Sequence, residues 1–145
     1  MAEFYVSVGD RVQFSKTVSE SDVYLFAGIT GDLAPNHVDE EFMRGTPYGR
    51  RIAHGALLIG YMSTASSMMV QRQGGLEGDE TPVSLGYDRI RFTAPVFLGD
   101  TITVTYTIVE IDPERRRSKS RIEVVNQRGE KVAVAEHILK WVPNN

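Results

Sequence analysis

The sequence predicts an α+β domain in which one antiparallel β-sheet curls around a single long helix. Three observations carry this expectation. The stretch Ala53 to Gln71 reads as a helix with apolar residues on nearly every face, so it should be enclosed rather than half exposed. Everything after Pro82 reads as strands separated by tight turns. The length of 145 residues, 41% apolar and 24% charged, with no repeat or low-complexity tract, fits one globular domain over residues 1–145.

Taken in order, Val8 to Val18 opens on a Gly9-Asp10 turn and alternates Val12, Phe14 and Val18 with polar neighbours, the period of a strand. Ser19 with Asp22 three positions on has the form of a capping box. Val23, Phe26 and Ala27 then give a helix one apolar face, which Gly28 or Gly31 ends. Gly31 to His37 (GDLAPNH) reads as a loop. Asp39 is placed to cap a short helix, Glu40 to Arg44, and Gly45, Pro47 and Gly49 keep the chain irregular to Arg51, with Tyr48, Arg50 and Arg51 exposed.

The long helix follows, ended by Gly74-Gly75. It is slightly short for a bilayer, carries Ser63, Thr64, Ser66 and Ser67 and lacks a basic flank, so burial in protein is expected and no membrane span. Gly60 in its middle costs up to about 1 kcal/mol of helix propensity, which close approach by another backbone would explain. Strands are then expected at Val83 to Phe92, Thr101 to Ile111, Arg117 to Val125 and Lys131 to Trp141. Asn126-Gln127-Arg128-Gly129 makes a hairpin turn and Gly99-Asp100 a similar one. One copy of such a sheet leaves an edge and part of the helix uncovered, which predicts a homodimer or higher homo-oligomer.

The net charge of -3 argues against a nucleic-acid binder. With no cysteine, disulfides, thiolate chemistry and Cys-based zinc sites are excluded. The N-terminus, with Glu3 and Asp10, does not have the form of a signal peptide, so the cytoplasm is the expected location.

The loop Gly31 to His37 is the chemical focus. Asp32 is an acceptor when ionised, and the imidazole of His37, five residues on, can give or take a proton near neutrality, so together they can manage one water. An Asp after a Gly also caps helices and closes Asx turns, and a lone loop His is commonly a surface residue, so the spacing alone leaves the choice open.

Three passages carry a resemblance: FAGITGDLAPNHVDEEF (Phe26 to Phe42), IAHGALLIGYMS (Ile52 to Ser63) and FTAPVFLGDTITV (Phe92 to Val104). In order and content the chain, from Val8 to Trp141, resembles the hot-dog fold and within it the MaoC-like dehydratases and (R)-specific enoyl-CoA hydratases. Asp32, Pro35 and His37 match the Asp, Pro and His of the family's hydratase motif. Ala34 stands where the family commonly has Asn, and Asn36 where an aliphatic residue is usual, which bears on the bracing of the loop and the shape of the acyl pocket.

The resemblance implies addition of water to, or its removal from, the α,β double bond of an acyl-CoA thioester, giving an (R)-3-hydroxyacyl-CoA. Asp32 and His37 would be the acid/base pair. Such chemistry also needs a donor for an enolate-like oxyanion, and a helix N-terminus supplies one. Gly55, at the start of the long helix, matches the family's donor, although a glycine there equally suits a tight turn. His54, Pro35 and Asn36 are expected around the substrate, His54 as a packed or loop-bracing residue.

No cofactor is implied beyond the coenzyme A of the substrate. A metal on Asp32, His37 and His54 is possible in principle but not required. Arg44, Arg50, Arg89, Arg91 and Arg115 to Arg117 are candidates for the nucleotide phosphates, and His137 reads as a plain strand residue. The competing expectations are a hot-dog thioesterase, with Asp32 activating water on the carbonyl, and a non-catalytic acyl-thioester binder.

Overall fold

The computed structural model describes residues 4–145. Five strands, β1 (Arg11–Thr17), β2 (Glu80–Phe92), β3 (Thr101–Asp112), β4 (Arg117–Val125) and β5 (Lys131–Pro143), form one antiparallel sheet in the order β1-β3-β4-β5-β2. Four helices among the described residues, α1 (Glu20–Thr30), α2 (Pro35–Val38), α3 (Glu40–Arg44) and α4 (Gly55–Arg72), lie between the first two strands in the chain.

Side-chain alternation explains which face of the sheet is buried. On β3, Ile102, Val104, Tyr106 and Ile108 enter the core, while the intervening threonines face outward. There Thr101 and Thr103 pair with Thr17 and Ser15 of β1 at 2.7 and 2.8 Å. Helix α4 reaches strands across the sheet. Tyr61 meets Phe14 of β1, Ser66 accepts from the Tyr106 hydroxyl of β3, and Trp141 of β5 packs on Gly75 just beyond the helix.

Local signals at the helix and turn ends act as expected. Ser19 and Asp22 form a reciprocal capping box, Gly31 ends α1 in the left-handed region, and the Asp39 carboxylate caps α3 by accepting from the Phe42 amide at 3.0 Å. Gly99 and Gly129 take positive φ in their turns.

Four expectations need correction. First, Pro35 to Val38 is a single helical turn rather than loop, because Pro35 stands at its first position, where a missing N–H costs nothing. Second, the long helix begins at Gly55, not Ala53, and strand β2 starts at Glu80 and includes Pro82, which an edge strand tolerates. Third, α4 is not enclosed within one chain: Leu58, Tyr61, Met62, Ala65, Ser66, Met69 and Val70 are buried, whereas Ala56, Gly60, Ser63, Thr64 and Ser67 form an exposed stripe. Fourth, among the described residues nothing outside the helix's own backbone lies within 4 Å of where a Cβ on Gly60 would sit, so no other described element accounts for that glycine.

Candidate active site

The left-handed turn at Gly31 ends α1 and throws Asp32 out of the helix. The Gly31 amide donates to the Ala27 carbonyl at 2.9 Å, the Asp32 amide to the Thr30 hydroxyl, and the Ala34 amide to Asp32 Oδ1 at 3.4 Å in an Asx-type turn. Pro35 then starts α2, whose single turn brings the side chain of His37 inward, where it is buried. Two bonds stitch this turn to the chain leading into α4. The Ile52 amide donates to the Asn36 carbonyl at 2.9 Å, and His37 Nδ1–H donates to the Ile52 carbonyl at 2.8 Å. A carbonyl can only accept, so Nδ1 carries a proton and Nε2 is the nitrogen left for a further partner.

His54 is held by the same logic. Its Nε2–H donates to the main-chain carbonyl of Asp32 at 3.0 Å. Its ring stacks on His37 with centroids 3.7 Å apart and 25° between planes, and Phe26 meets it at 4.7 Å. The other nitrogen, Nδ1, is buried without a partner. His54 thus grips the backbone of the acid, lies against the imidazole of its neighbour and immediately precedes α4.

Asp32, His37 and His54 offer nitrogen and carboxylate atoms that all lie within 4.8 Å of one another, with Asp32 exposed and both histidines buried. These are also the donors a divalent ion would use. One nitrogen of His54 is already committed to the Asp32 carbonyl, so its Nδ1, the Asp32 carboxylate and His37 Nε2 are what remains for an ion.

Beside them opens a cleft of about 380 Å³ lined by Asn36, His37, Tyr48, Ile52, Gly55, Leu58 and Phe92, among others. Gly55, the first residue of α4, lines this space, and a helix start leaves its first N–H groups without intrahelical acceptors. Of the expected site residues His37, Gly55 and Asn36 line the cleft, while Asp32 and His54 gather against His37 without being part of that lining. Pro35 shapes α2 and is not part of the lining.

The arginines distribute differently from the sequence expectation. Arg51 is not an exposed candidate: it bonds Glu20 of α1 at 2.7 Å and Glu40 of α3 at 2.6 Å, which ties the helical layer over the site. The hydrogen bond to Glu20, with Glu40 adding to it, raises the guanidinium above its ordinary pKa, and Arg51 in turn lowers that of Glu20. Arg116 makes a two-pronged contact with Glu80, while Arg44, Arg89 and Arg115 make exposed surface pairs with Glu41, Glu136 and Asp112. Arg91 donates to the carbonyl of Ile90. Arg50 lies over the Phe97 ring, 4.0 Å from its centroid and close to the strand-like pairing of Phe97 with Ile52.

His137 is a strand residue of β5, as expected, and it also centres a buried polar cluster. Its Nε2 meets the Ser84 hydroxyl and its Nδ1 the Tyr106 hydroxyl, both at 2.7 Å, and Tyr87 stacks on the ring at 4.4 Å. Burial pushes its pKa down to about 4. A second cavity, about 290 Å³, lies against it between α4 and β2. The available signal was strand parity: His137 shares the inward phase of Ala135 and Leu139.

A five-stranded antiparallel sheet carrying one long helix, with histidines and a carboxylate gathered near the helix tip, defines a hot-dog domain. The chain belongs to the MaoC-like dehydratase family: the model of the MaoC like domain matches residues 4–131. An (R)-specific enoyl-CoA hydratase of Rhodospirillum rubrum is 35% identical over 111 residues, covering 77% of this chain and 72% of its own. A 3-hydroxybutyryl-CoA dehydratase of Methylorubrum extorquens is 35% identical over 138 residues, covering 95% and 82%. The solved structure of the (R)-hydratase of A. caviae involved in PHA biosynthesis superposes with a TM-score of 0.79 at 27% identity, over 93% of this chain and 96% of that one.

Proposed function

We propose that the protein is a lyase that adds water to, or removes it from, the α,β double bond of an acyl-CoA thioester, with (R)-3-hydroxyacyl-CoA as the hydrated form. What supports this reading is the convergence of the Asp32 carboxylate, the Nε2 side of His37 and the N-terminus of α4 beside one cleft. The relatives' activities on enoyl-CoA and 3-hydroxybutyryl-CoA agree with it.

The carboxylate and the neutral imidazole are both acceptors, so a water between them donates one O–H to each and turns a lone pair toward the β carbon. As that oxygen attacks, electrons move through the double bond onto the thioester oxygen, where the Gly55 amide and the dipole of α4 stabilise the charge. The two acceptors bring no proton of their own. The proton taken from the water by one of them is therefore the one delivered to the α carbon, and dehydration runs the same transfers backward. His54 keeps the loop in place through the Asp32 carbonyl. No resident cofactor takes part in these transfers.

The protein acts as a homodimer in this reading. Strand β2 is an edge with Val83 and Leu85 exposed, and it lies beside the small-residue stripe of α4, so a second copy would cover both. Among the described residues no helix is long and apolar enough to cross a membrane, and the cytoplasm, where acyl-CoA is made and used, is the proposed location.

The test is a spectrophotometric assay with crotonyl-CoA, reading loss of the conjugated double bond alongside release of free thiol, with chiral analysis of the alcohol. Loss of the double bond without thiol release, giving the (R)-alcohol, is the expected result. Thiol release with the double bond retained would replace hydration by thioester hydrolysis.

A further inference from the structure

Gly55 is a glycine for a reason its own backbone does not supply. It does not take a positive φ, so no left-handed turn demands it. What fills the place of its side chain is the ring of Phe92. A methyl group on Gly55 would fall 2.6 Å from Cε2, 2.7 Å from Cζ and 2.8 Å from Cδ2 of that ring, far inside van der Waals contact.

Phe92 is the last residue of β2, and its backbone is held against β5. It pairs with Ala133, and the next residue, Thr93, bonds the Val132 carbonyl through its amide and the Lys131 carbonyl through its hydroxyl. The side chain is 51% exposed and lines the same cleft as His37 and Leu58. The Cδ2–Cε2–Cζ side of the ring rests on the first residue of α4, and the ring also lines the cleft.

We propose that Phe92 is the specificity-determining residue of this site: its ring, seated on Gly55, walls the cleft beside the helix tip and limits the bulk of the acyl group. This rests on the acyl-thioester reading above. An acyl group whose thioester oxygen meets the Gly55 amide lays its first carbons along the ring, and a longer chain must push the ring aside before it can extend past Leu58. Gly55 and Phe92 therefore act as a coupled pair, the missing side chain of one being the seat of the other.

The experiment compares Phe92→Ala, Gly55→Ala and the double variant for binding of butanoyl-CoA and decanoyl-CoA by titration calorimetry, and for hydration of the matching 2-enoyl-CoA thioesters. Phe92→Ala should raise the preference for the ten-carbon over the four-carbon acyl group by about 10-fold or more, the worth of a few methylenes admitted to an apolar pocket. Phe92→Leu should fall between it and the parent. Gly55→Ala should weaken both ligands by about 10-fold in the parent but by less than about 3-fold in the Phe92→Ala background, because the displaced ring is gone.

An unchanged chain-length preference in Phe92→Ala overturns the proposal. So does an equal cost of Gly55→Ala in both backgrounds, which would mean that the glycine serves the ligand directly. If the parent binds both acyl-CoAs but hydrates neither enoyl thioester, the hydratase reading fails while the binding ratio still decides the role of Phe92. If it binds neither, both fall.

Discussion

Two histidine clusters flank α4, and they differ in what their ring nitrogens have left to give. At the helix tip, His37 commits Nδ1 to a backbone carbonyl and keeps Nε2 for the cleft, beside an exposed carboxylate. Farther along the helix, His137 has both nitrogens bonded to hydroxyls and a tyrosine stacked on its ring. Burial and hydrogen bonding are common to both clusters. The unspent acceptor is what separates a reagent from a strut.

The largest effect should come from removing the unspent groups. Asp32→Asn or His37→Ala should slow hydration of crotonyl-CoA by about 100-fold or more, the usual worth of a placed acid or base. The melting temperature of Asp32→Asn should stay near the parent's, since Asp32 is exposed and its carboxylate holds only one long amide contact, whereas His37→Ala also removes a buried ring and its bond to the Ile52 carbonyl and should melt lower. Near-parent rates in both variants would dissolve the distinction between the two clusters.

His137→Leu should do the reverse, leaving kcat within about 3-fold while unfolding the protein at lower urea. It strips the Tyr106 hydroxyl, buried, and the Ser84 hydroxyl of their partner, for a cost of about 1 to 3 kcal/mol. The same residue gives the comparison a pH axis. Because burial holds its folded pKa at about 4 against 6.5, the unfolded chain binds a proton that the folded chain refuses. Stability is fully present above pH 6.5 and is lost as pH falls toward 4, by up to about 3 kcal/mol. Denaturation curves across that window should flatten in His137→Leu, and an unchanged slope would remove His137 as the cause.

The smallest effect belongs to the residue between the two kinds. His54→Phe keeps an aromatic ring between His37 and Phe26 but loses the N–H to the Asp32 carbonyl; His54→Gln keeps a donor and loses the stack. We expect His54→Phe to lower kcat about 10-fold with KM little changed, consistent with one hydrogen bond's positioning, and His54→Gln to recover part of it. A near-parent rate in His54→Phe with the larger loss in His54→Gln would assign His54 to packing alone.

What the sequence made legible was local. The capping box Ser19 and Asp22, the Asp39 cap, the Gly129 hairpin and the alternation of β3 each depend on residues a few positions apart, and the structure has them as read. Asp32 and His37 are also near neighbours in the chain, which is why their pairing was visible. What escaped depends on distance. Arg51 finds Glu20 across 31 positions, Gly55 owes its identity to a ring 37 positions later, and the partners of His137 lie on two other strands. The single turn of α2 could have been found from Pro35, a residue suited to a first helical position. The exposed stripe of α4 escaped in another way: one alanine, one glycine and three hydroxyls at those positions let a one-sided helix pass for an encircled one.

The hold that His54 takes on residue 32 is on its main chain and not on its carboxylate. Scaffold and reagent are thereby uncoupled at that position. Any side chain that tolerates the turn inherits the same placement opposite His37, so the cleft can be re-equipped with a different group at position 32 while its architecture stands.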